Sequence, residues 1–349
     1  MSDTCAVKQT DHSCTYSLLS LFSGAGALDY GFELTGRFQT KVCIELEPIF
    51  CRTLVGNQRR GFLSGAEILN ECITAITPVA VRREHFAGSA PDGIIGGPPC
   101  ESFSVRGNRR GLADPRGRLI FSFLNWVDEL CPRYFLMENV PPVVRFEGGK
   151  VLRDLRAKAE ELGYRVSHAI LNAAEYGAPT TRQRFFMVGV RGSRSFSFPE
   201  PSHTDLPIFI YRKAFLTVAD ALHGIPEPCW TEPGVPQGHV GVRHTPTVEA
   251  RFAELRPGQQ DNVRKRTRLD LSKPSPTLVA GNLMQIRSHI HPTEPRELTN
   301  RESARLHGFP DEFVFAGNHP AVGKQIANSV PIALAQALAH AIATHLDLL

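Results

Sequence analysis

No two of the eight cysteines (Cys5, Cys14, Cys43, Cys51, Cys72, Cys100, Cys131 and Cys229) are spaced as CxxC, and none joins a histidine at a zinc-finger interval. A zinc module and a thioredoxin-like redox pair are thereby excluded. A chain of 349 residues buries a core without disulfide staples, so the thiols are expected to be reduced. Long apolar runs are missing near the start as well. The longest there, Leu18 to Leu28, is too short to span a bilayer and follows a polar segment, which predicts a cytoplasmic protein with no membrane contact. Charge of one sign is scarce: 39 Lys and Arg against 35 Asp and Glu leave +4, so an anionic partner has to be argued from local patches. Internal repeats and low-complexity tracts are absent too. With 42% hydrophobic and 21% charged residues, disorder, collagen and coiled coil are excluded, and the length suggests two domains.

Apolar strand-like runs recur through the first half: Leu18 to Phe22, Lys41 to Glu45, Asp92 to Ile95, Tyr134 to Met137, Arg165 to Leu171 and Phe185 to Val190. Between them, Leu119 to Leu130 and Val151 to Leu162 repeat apolar residues at three and four positions, and Gly163 ends the second as a C-cap glycine. The pattern predicts an α/β fold with a parallel sheet flanked by helices. Composition changes from Pro199 to Pro276, a stretch that holds eleven of the 26 prolines and lacks a sustained helical period. It reads as a separate, loop-rich unit. Regularity returns at Ser303 to Leu306 and after Pro331, which opens an Ala-rich helix to about Leu346 and is expected to pack back on the first domain. The division expected is 1–198, 199–281 and a returning segment 282–349.

Phe22-Ser23-Gly24-Ala25-Gly26 follows the first strand and precedes a helix, so backbone can approach a ligand at the carboxyl end of the sheet. It is not the GxGxxG dinucleotide fingerprint, whose third glycine would fall at Asp29, where a carboxylate would repel phosphates; a Rossmann dehydrogenase fails there. Glu45, nineteen residues past Gly26, stands where an acid accepts from ribose hydroxyls. A cofactor with a ribose and no phosphate is implied. S-adenosylmethionine fits, with Phe22 placed to stack on adenine, although a plain strand-to-helix turn with a surface Glu explains this loop equally well when it is taken alone. Gly96-Gly97-Pro98-Pro99-Cys100 presents a thiol at the same edge on backbone that two prolines stiffen, a candidate nucleophile where Cys43 and Cys72 read as packing residues. Glu138 ends the strand Tyr134 to Val140, where desolvation would let it hold a proton near neutral pH. Arg182 and Arg184 alternate with Gln183 and project to one side, suited to an anionic or carbonyl-bearing substrate.

Taken in order, these segments resemble the DNA (cytosine-5)-methyltransferase family over essentially the whole chain. The Phe22 to Gly26 loop with Asp29 and Glu33 resembles its first motif, Gly97-Pro98-Pro99-Cys100 its Pro-Cys segment and Glu138-Asn139-Val140 its Glu-Asn-Val. Arg182-Gln183-Arg184 resembles the RxR of its eighth motif, Arg296 to Pro310 its ninth, and Gln325 to Pro331 its tenth. The resemblance implies a Rossmann-like sheet that binds S-adenosyl-L-methionine and a small target-recognition domain, about Pro199 to Gly281, that reads double-stranded DNA. It extends the cofactor set from Phe22, Ser23, Gly24, Gly26 and Glu45 to Leu28, Leu46, Glu67, Ile68, Gly97, Pro98, Asn328 and Ser329. Cys100 would attack carbon 6 of a flipped-out cytosine, Glu138 would hold ring nitrogen 3, Arg184, with Arg182 in the same motif, would hold oxygen 2, and the Pro99 carbonyl would accept from the exocyclic amine.

Arg106, Arg109, Arg110, Arg116 and Arg118 after the nucleophile suggest a phosphate-gripping lid, with Ser102 and Ser104 at the flipped nucleotide. Arg264, Lys265, Arg266 and Arg268 form the densest basic cluster and are expected on phosphates. The chain departs from the family pattern at Thr180, where Gln is usual and a supporting hydrogen bond is expected to be lost; at Ala327, where Gly is usual; and at Glu67-Ile68 in place of Asp-Ile. A monomeric enzyme serving a restriction-modification system is expected, with a cognate endonuclease as its system partner. A tRNA cytosine-5 methyltransferase and a catalytically silent DNA-binding relative are the alternatives.

Overall fold

The computed structural model describes residues 15–99, 115–206, 211–231, 236–279 and 289–348. One sheet dominates, built from β1 (Tyr16–Leu21), β2 (Phe38–Ile44), β3 (Glu67–Leu69), β4 (Gly93–Gly96), β5 (Tyr134–Asn139), β6 (Arg165–Asn172) and β7 (Gln183–Val190). Their order is β3-β2-β1-β4-β5-β7-β6. Helices α1 (Ala27–Glu33), α2 (Pro48–Gln58), α3 (Pro78–His85), α4 (Pro115–Leu130) and α5 (Lys150–Glu161) fall between the first six strands. This is the α/β sheet expected from the alternation of strand and helix patterns, with the Rossmann-like form that the family resemblance implies.

The sheet is mixed where the sequence suggested a parallel one. β1 pairs in parallel with β2 and β4, and β4 with β5, but β7 runs antiparallel to both β5 and β6. Chain length explains the inversion: residues 173–182 join β6 to β7 and hold one short 3₁₀ turn, Ala173–Tyr176. A parallel crossover needs about a dozen residues or more, usually helical, so the chain turns back.

Side-chain alternation buries both faces. Leu18, Ile95, Leu136, Phe186 and Val188 pack against Leu28 and Phe32 of α1 and against Leu334, Leu338 and Ile342 of α10 (Ile332–Asp347). On the other face, Leu19, Leu21, Ile44, Ile94, Phe135 and Met137 meet Phe123, Leu124 and Val127 of α4 and Val151 and Leu155 of α5. The C-terminal helix thus returns to the first half of the chain. The stretch His319–Asp347 has the length and hydropathy of a membrane span. It is two helices, α9 (His319–Asn328) and α10, separated at Ser329 to Pro331 and largely buried in the fold.

The proline-rich segment carries little regular structure: a two-stranded pair, β8 (His203–Thr204) with β9 (Lys213–Ala214), and the short helices α6 (Val218–Leu222) and α7 (Pro246–Ala253). Its small core joins Val218 and Leu269 to Leu298 and to Leu306 of α8 (Asn300–Leu306), so residues beyond 281 close it. A capping box between Thr299 and Glu302 starts α8, and Arg296 grips the same Glu302 with two bonds of 2.9 and 2.8 Å.

Candidate active site

Strand order reverses between β1 and β4, since β1 is followed outward by β2 and β4 by β5. At such a switch point the carboxyl ends of the strands open a crevice. The loop after β1 enters it under strain: Phe22 has φ 56, a conformation that costs a non-glycine residue about 1–3 kcal/mol. The Gly24 N–H donates to one carboxylate oxygen of Glu45 at 2.8 Å, and the Glu47 N–H donates to the other at 2.8 Å. Burial pushes the Glu45 carboxyl up while these donors oppose it. Asn70, which the sequence reading missed, donates its amide to the carbonyls of Glu45 (3.0 Å) and Leu46 (2.9 Å) and fixes that turn. Leu46 is an exposed leucine beside this acid, and Leu28 is buried in α1. Glu67 and Ile68 lie in β3 opposite Val42 and Cys43, with Glu67 exposed. Asp29 is 1% exposed in the first turn of α1, sealed beneath the loop, and burial pushes its carboxyl up to about 7. It therefore does not confront a ligand's phosphates directly, as the sequence reading had it.

The loop after β4 is tied to the end of β5. Asn139, fully buried, donates its amide to the Pro98 carbonyl at 3.2 Å, and its own side-chain oxygen accepts from the Val140 N–H at 2.9 Å. Gly97 lies so close to Glu138 that a Cβ there would come 2.8 Å from Oε2 and force the carboxylate to shift. Pro99 is half-buried. Cys100, Ser102, Ser104, Arg106, Arg109 and Arg110 lie outside the described residues.

Glu138 and Arg184 form an ion pair, Nε to Oε1 at 2.8 Å, with side chains only 12% and 11% exposed. The antiparallel register explains the meeting. Glu138 sits opposite Phe186, so Arg184, two residues earlier on β7, is its diagonal neighbour on the same face. Burial raises the Glu138 carboxyl, Arg184 opposes the rise, and the result is about 7. A carboxyl poised there carries a proton in an appreciable fraction of molecules near neutral pH.

Arg182 corrects the sequence reading that grouped it with the catalytic residues. It is fully buried, and its guanidinium donates to the Leu278 carbonyl at 2.9 Å and to the Ala327 carbonyl. It is a positioning residue that clamps β7 to the end of the proline-rich segment and to α9. Ala327, where the family usually has Gly, sits in regular helix as that acceptor. Thr180, expected to lose a hydrogen bond, donates to the Ser275 carbonyl at 3.2 Å. Asn328 is exposed at the end of α9, whereas Ser329 is buried. The Ser329 hydroxyl donates to the Ile326 carbonyl (2.7 Å), so it accepts from His307 Nδ1–H (2.8 Å). His307 is a second residue the sequence reading missed; burial and the nearby Arg184 charge push its pKa down to about 3, which keeps it neutral.

The basic cluster at 264–268 is a further correction. Arg268 is 8% exposed and donates to the carbonyls of Pro292 (2.9 Å), Phe252 (2.8 Å) and Thr293 (2.8 Å). Arg266 is paired with the buried Glu297, and Arg264 reaches the same carboxylate at 3.2 Å. Lys265 faces solvent. Burial pushes the Cys43 thiol well above its ordinary range and that of Cys51 up to about 11, consistent with packing roles.

Residues 16–344 match the family described as C-5 cytosine-specific DNA methylase. The chain belongs to that family. It is a DNA cytosine-5-methyltransferase, and the family implies use of S-adenosylmethionine. Similar proteins include the Type II methyltransferase M1.HphI of Haemophilus parahaemolyticus, 33% identical over 95% of this chain and 87% of that one. The Type II methyltransferase M.AquIA of Picosynechococcus is 36% identical over 67% of this chain and 96% of its own length. Among solved structures, a DNA modification methyltransferase encoded within an E. coli prophage superposes with TM-score 0.76 at 27% identity, covering 95% of this chain and all of that one. The Dnmt2 methyltransferase of S. pombe, with TM-score 0.64 and 18% identity over 95% of this chain and 98% of that one, shares the fold. A DNA substrate for the methyltransferase is implied by the family.

Proposed function

We propose that this methyltransferase modifies carbon 5 of a cytosine swung out of duplex DNA, through a covalent bond from Cys100 to carbon 6. Carbon 5 is a poor nucleophile, and addition of a thiolate to carbon 6 is what activates it. The Glu138–Arg184 pair, poised at about 7, carries this reading. It stands beside the loop that leads into Cys100, which Asn139 and Gly97 hold against Glu138.

In the proposed reaction the Cys100 thiolate bonds to carbon 6 while the Glu138 proton moves onto ring nitrogen 3, so negative charge does not build up on the ring. Arg184 orients Glu138 and donates to oxygen 2, and the Pro99 carbonyl accepts from the exocyclic amine. S-adenosylmethionine, when bound, supplies an electrophilic methyl group. After methylation, loss of the carbon 5 proton to water or hydroxide restores the ring double bond and expels the thiolate, and the proton on ring nitrogen 3 passes back to Glu138. None of these atoms is accessible in a stacked duplex, so the base leaves the helix at a cost of roughly a few kcal/mol.

The residues around the β1 crevice fit the cofactor. After accepting from Gly24 and Glu47, each Glu45 oxygen retains a lone pair for a ribose hydroxyl. Phe22 and the exposed Leu46 offer apolar surface to adenine, with Ser23, Gly24, Gly26, Leu28, Glu67, Ile68, Gly97, Pro98, Asn328 and Ser329 completing the proposed set. Residues 1–198 with 282–349 would form the catalytic part and 199–281 the target-recognition part. Ser102, Ser104, Arg106, Arg109, Arg110 and Lys265 are proposed to meet the DNA backbone. The enzyme would act as a monomer in a bacterial cytoplasm and protect host DNA from a cognate endonuclease. Bisulfite sequencing of unmethylated duplex DNA after incubation with protein and S-adenosylmethionine tests the reading. Protection of one cytosine within a fixed sequence is expected; unmodified DNA would contradict it and favour a silent DNA-binding protein.

A further inference from the structure

Arg243 and Trp230 have no individual role in the account so far. Trp230 is 48% exposed, yet it is held on one side. Gly241 lies against its ring so closely that a Cβ there would come within 2.7 Å, and the Arg243 guanidinium stands over the ring at 5.3 Å from its centroid. The two segments are joined by backbone bonds, Cys229 N–H to the His239 carbonyl (3.0 Å) and Gly241 N–H to the Cys229 carbonyl (2.8 Å). His239, fully buried, links this ribbon to Thr299 (2.9 Å) and to the Pro226 carbonyl (2.7 Å). Arg301 of α8 anchors it again through the Gln237 carbonyl at 3.0 and 2.9 Å. The platform is therefore fixed to the N-terminal end of α8, whose other end leads into His307, within the field of Arg184. Seven helical residues span about 10 Å, or about three base-pair rises along a duplex.

The neighbouring surface is basic. His244, next to Arg243 in sequence, lies 3.6 Å from Glu297, the carboxylate that Arg264 also reaches, and the exposed Lys265 follows Arg264 in the same turn. Arg264 and Arg266 spend charge on Glu297, whereas Arg243 is exposed and set on an aromatic face. A guanidinium braced over an aromatic face is partly pre-organised for binding and presents a planar fork. That fork matches the O6 and N7 acceptors of guanine in the major groove.

We infer that Arg243, steadied by Trp230, is a specificity-determining residue that reads one guanine of the target sequence. The inference rests on the proposed reading of 199–281 as the recognition part. The test methylates a duplex library randomised around cytosine and compares bisulfite profiles of the wild type, Arg243→Ala, Arg243→Lys, Trp230→Ala and Lys265→Ala. Arg243→Ala should relax preference for guanine at a single position by about tenfold to a hundredfold while the other positions keep theirs. Arg243→Lys should relax it partly, and Trp230→Ala should relax the same position less. Lys265→Ala should lower methylation evenly across sequences and reduce its salt dependence. An even loss with Arg243→Ala, which marks a phosphate contact, overturns the inference, and so does an unchanged profile. Should the wild type methylate no sequence, the proposed function falls and takes the inference with it; an intact wild-type motif that survives Arg243→Ala sinks the inference alone.

Discussion

Arginines do opposite work at the two ends of this molecule. At the carboxyl edge of the sheet, Arg184 lies against a carboxylate poised near neutrality and belongs to the chemistry. In the turn at 264–268, arginines that look made for phosphate are turned inward, Arg268 onto three carbonyls and Arg266 onto Glu297. A cluster of positive charge in a loop-rich region suggests nucleic acid only until its internal acceptors are counted. In a segment with little regular structure, many backbone carbonyls lack a ladder partner, and buried arginines are one way of satisfying them.

That contrast can be broken by substitution. The largest effects belong to the sheet edge. Cys100→Ala should abolish methyl transfer with DNA binding retained, and Glu138→Gln should slow single-turnover transfer by roughly 10²- to 10⁴-fold with cofactor affinity unchanged. Activity at the wild-type level in either variant would contradict the chemistry assigned to the edge. Next comes Arg268→Ala, expected to cost roughly 2–4 kcal/mol in denaturant unfolding, because two buried carbonyls and a partly buried third lose their donor together. Lys265→Ala should leave stability within about 0.5 kcal/mol and weaken DNA binding instead. Equal behaviour of the two variants would erase the distinction between inward and outward charge.

Two pH effects sharpen the comparison further. Glu138 must carry a proton to act as an acid, so the transfer rate should fall as pH rises through about 7, opposite to the limb set by formation of the Cys100 thiolate. Glu138→Gln should remove the falling limb, which a pH profile of single turnovers will show. The smallest effect is expected at Asp29, whose carboxyl is raised to about 7 in the folded protein from 3.8. The unfolded chain releases that proton near pH 4 and the folded chain retains it to about 7, so stability is lost between those values as pH rises. Asp29→Asn should then raise the melting temperature at pH 8 by roughly 2–5 °C and leave it unchanged at pH 4.

The sheet and its edge were largely legible in the sequence because backbone geometry imposes local signatures there. Phe22 to Gly26, Gly96 to Cys100 and Tyr134 to Val140 each mark a strand end and the turn that leaves it. The inversion of β7 was missed although its signal, a connection too short for a crossover helix, lies in the spacing of the last two strands, and it matters to function. An antiparallel β7 starts where β5 ends, which brings Arg184 to Glu138; a parallel strand would have carried it to the opposite edge. Partners distant in sequence were also hidden. Arg182 looked like a twin of Arg184, and only the fold shows it bound to Leu278 and Ala327. Asn70 and Trp230 carry no motif, and His307 lies within the Arg296 to Pro310 motif without standing out there; their roles emerge from what packs around them.

The most direct measurement is denaturing electrophoresis with peptide mass spectrometry of the protein after incubation with S-adenosylmethionine and duplex DNA carrying 5-fluorocytosine at the target. Fluorine replaces the proton that has to leave carbon 5, so the final elimination stalls. A stable protein–DNA adduct on the peptide containing Cys100, absent in Cys100→Ala, is the predicted result. Release of methylated DNA with no adduct, or an adduct on another residue, would contradict the account.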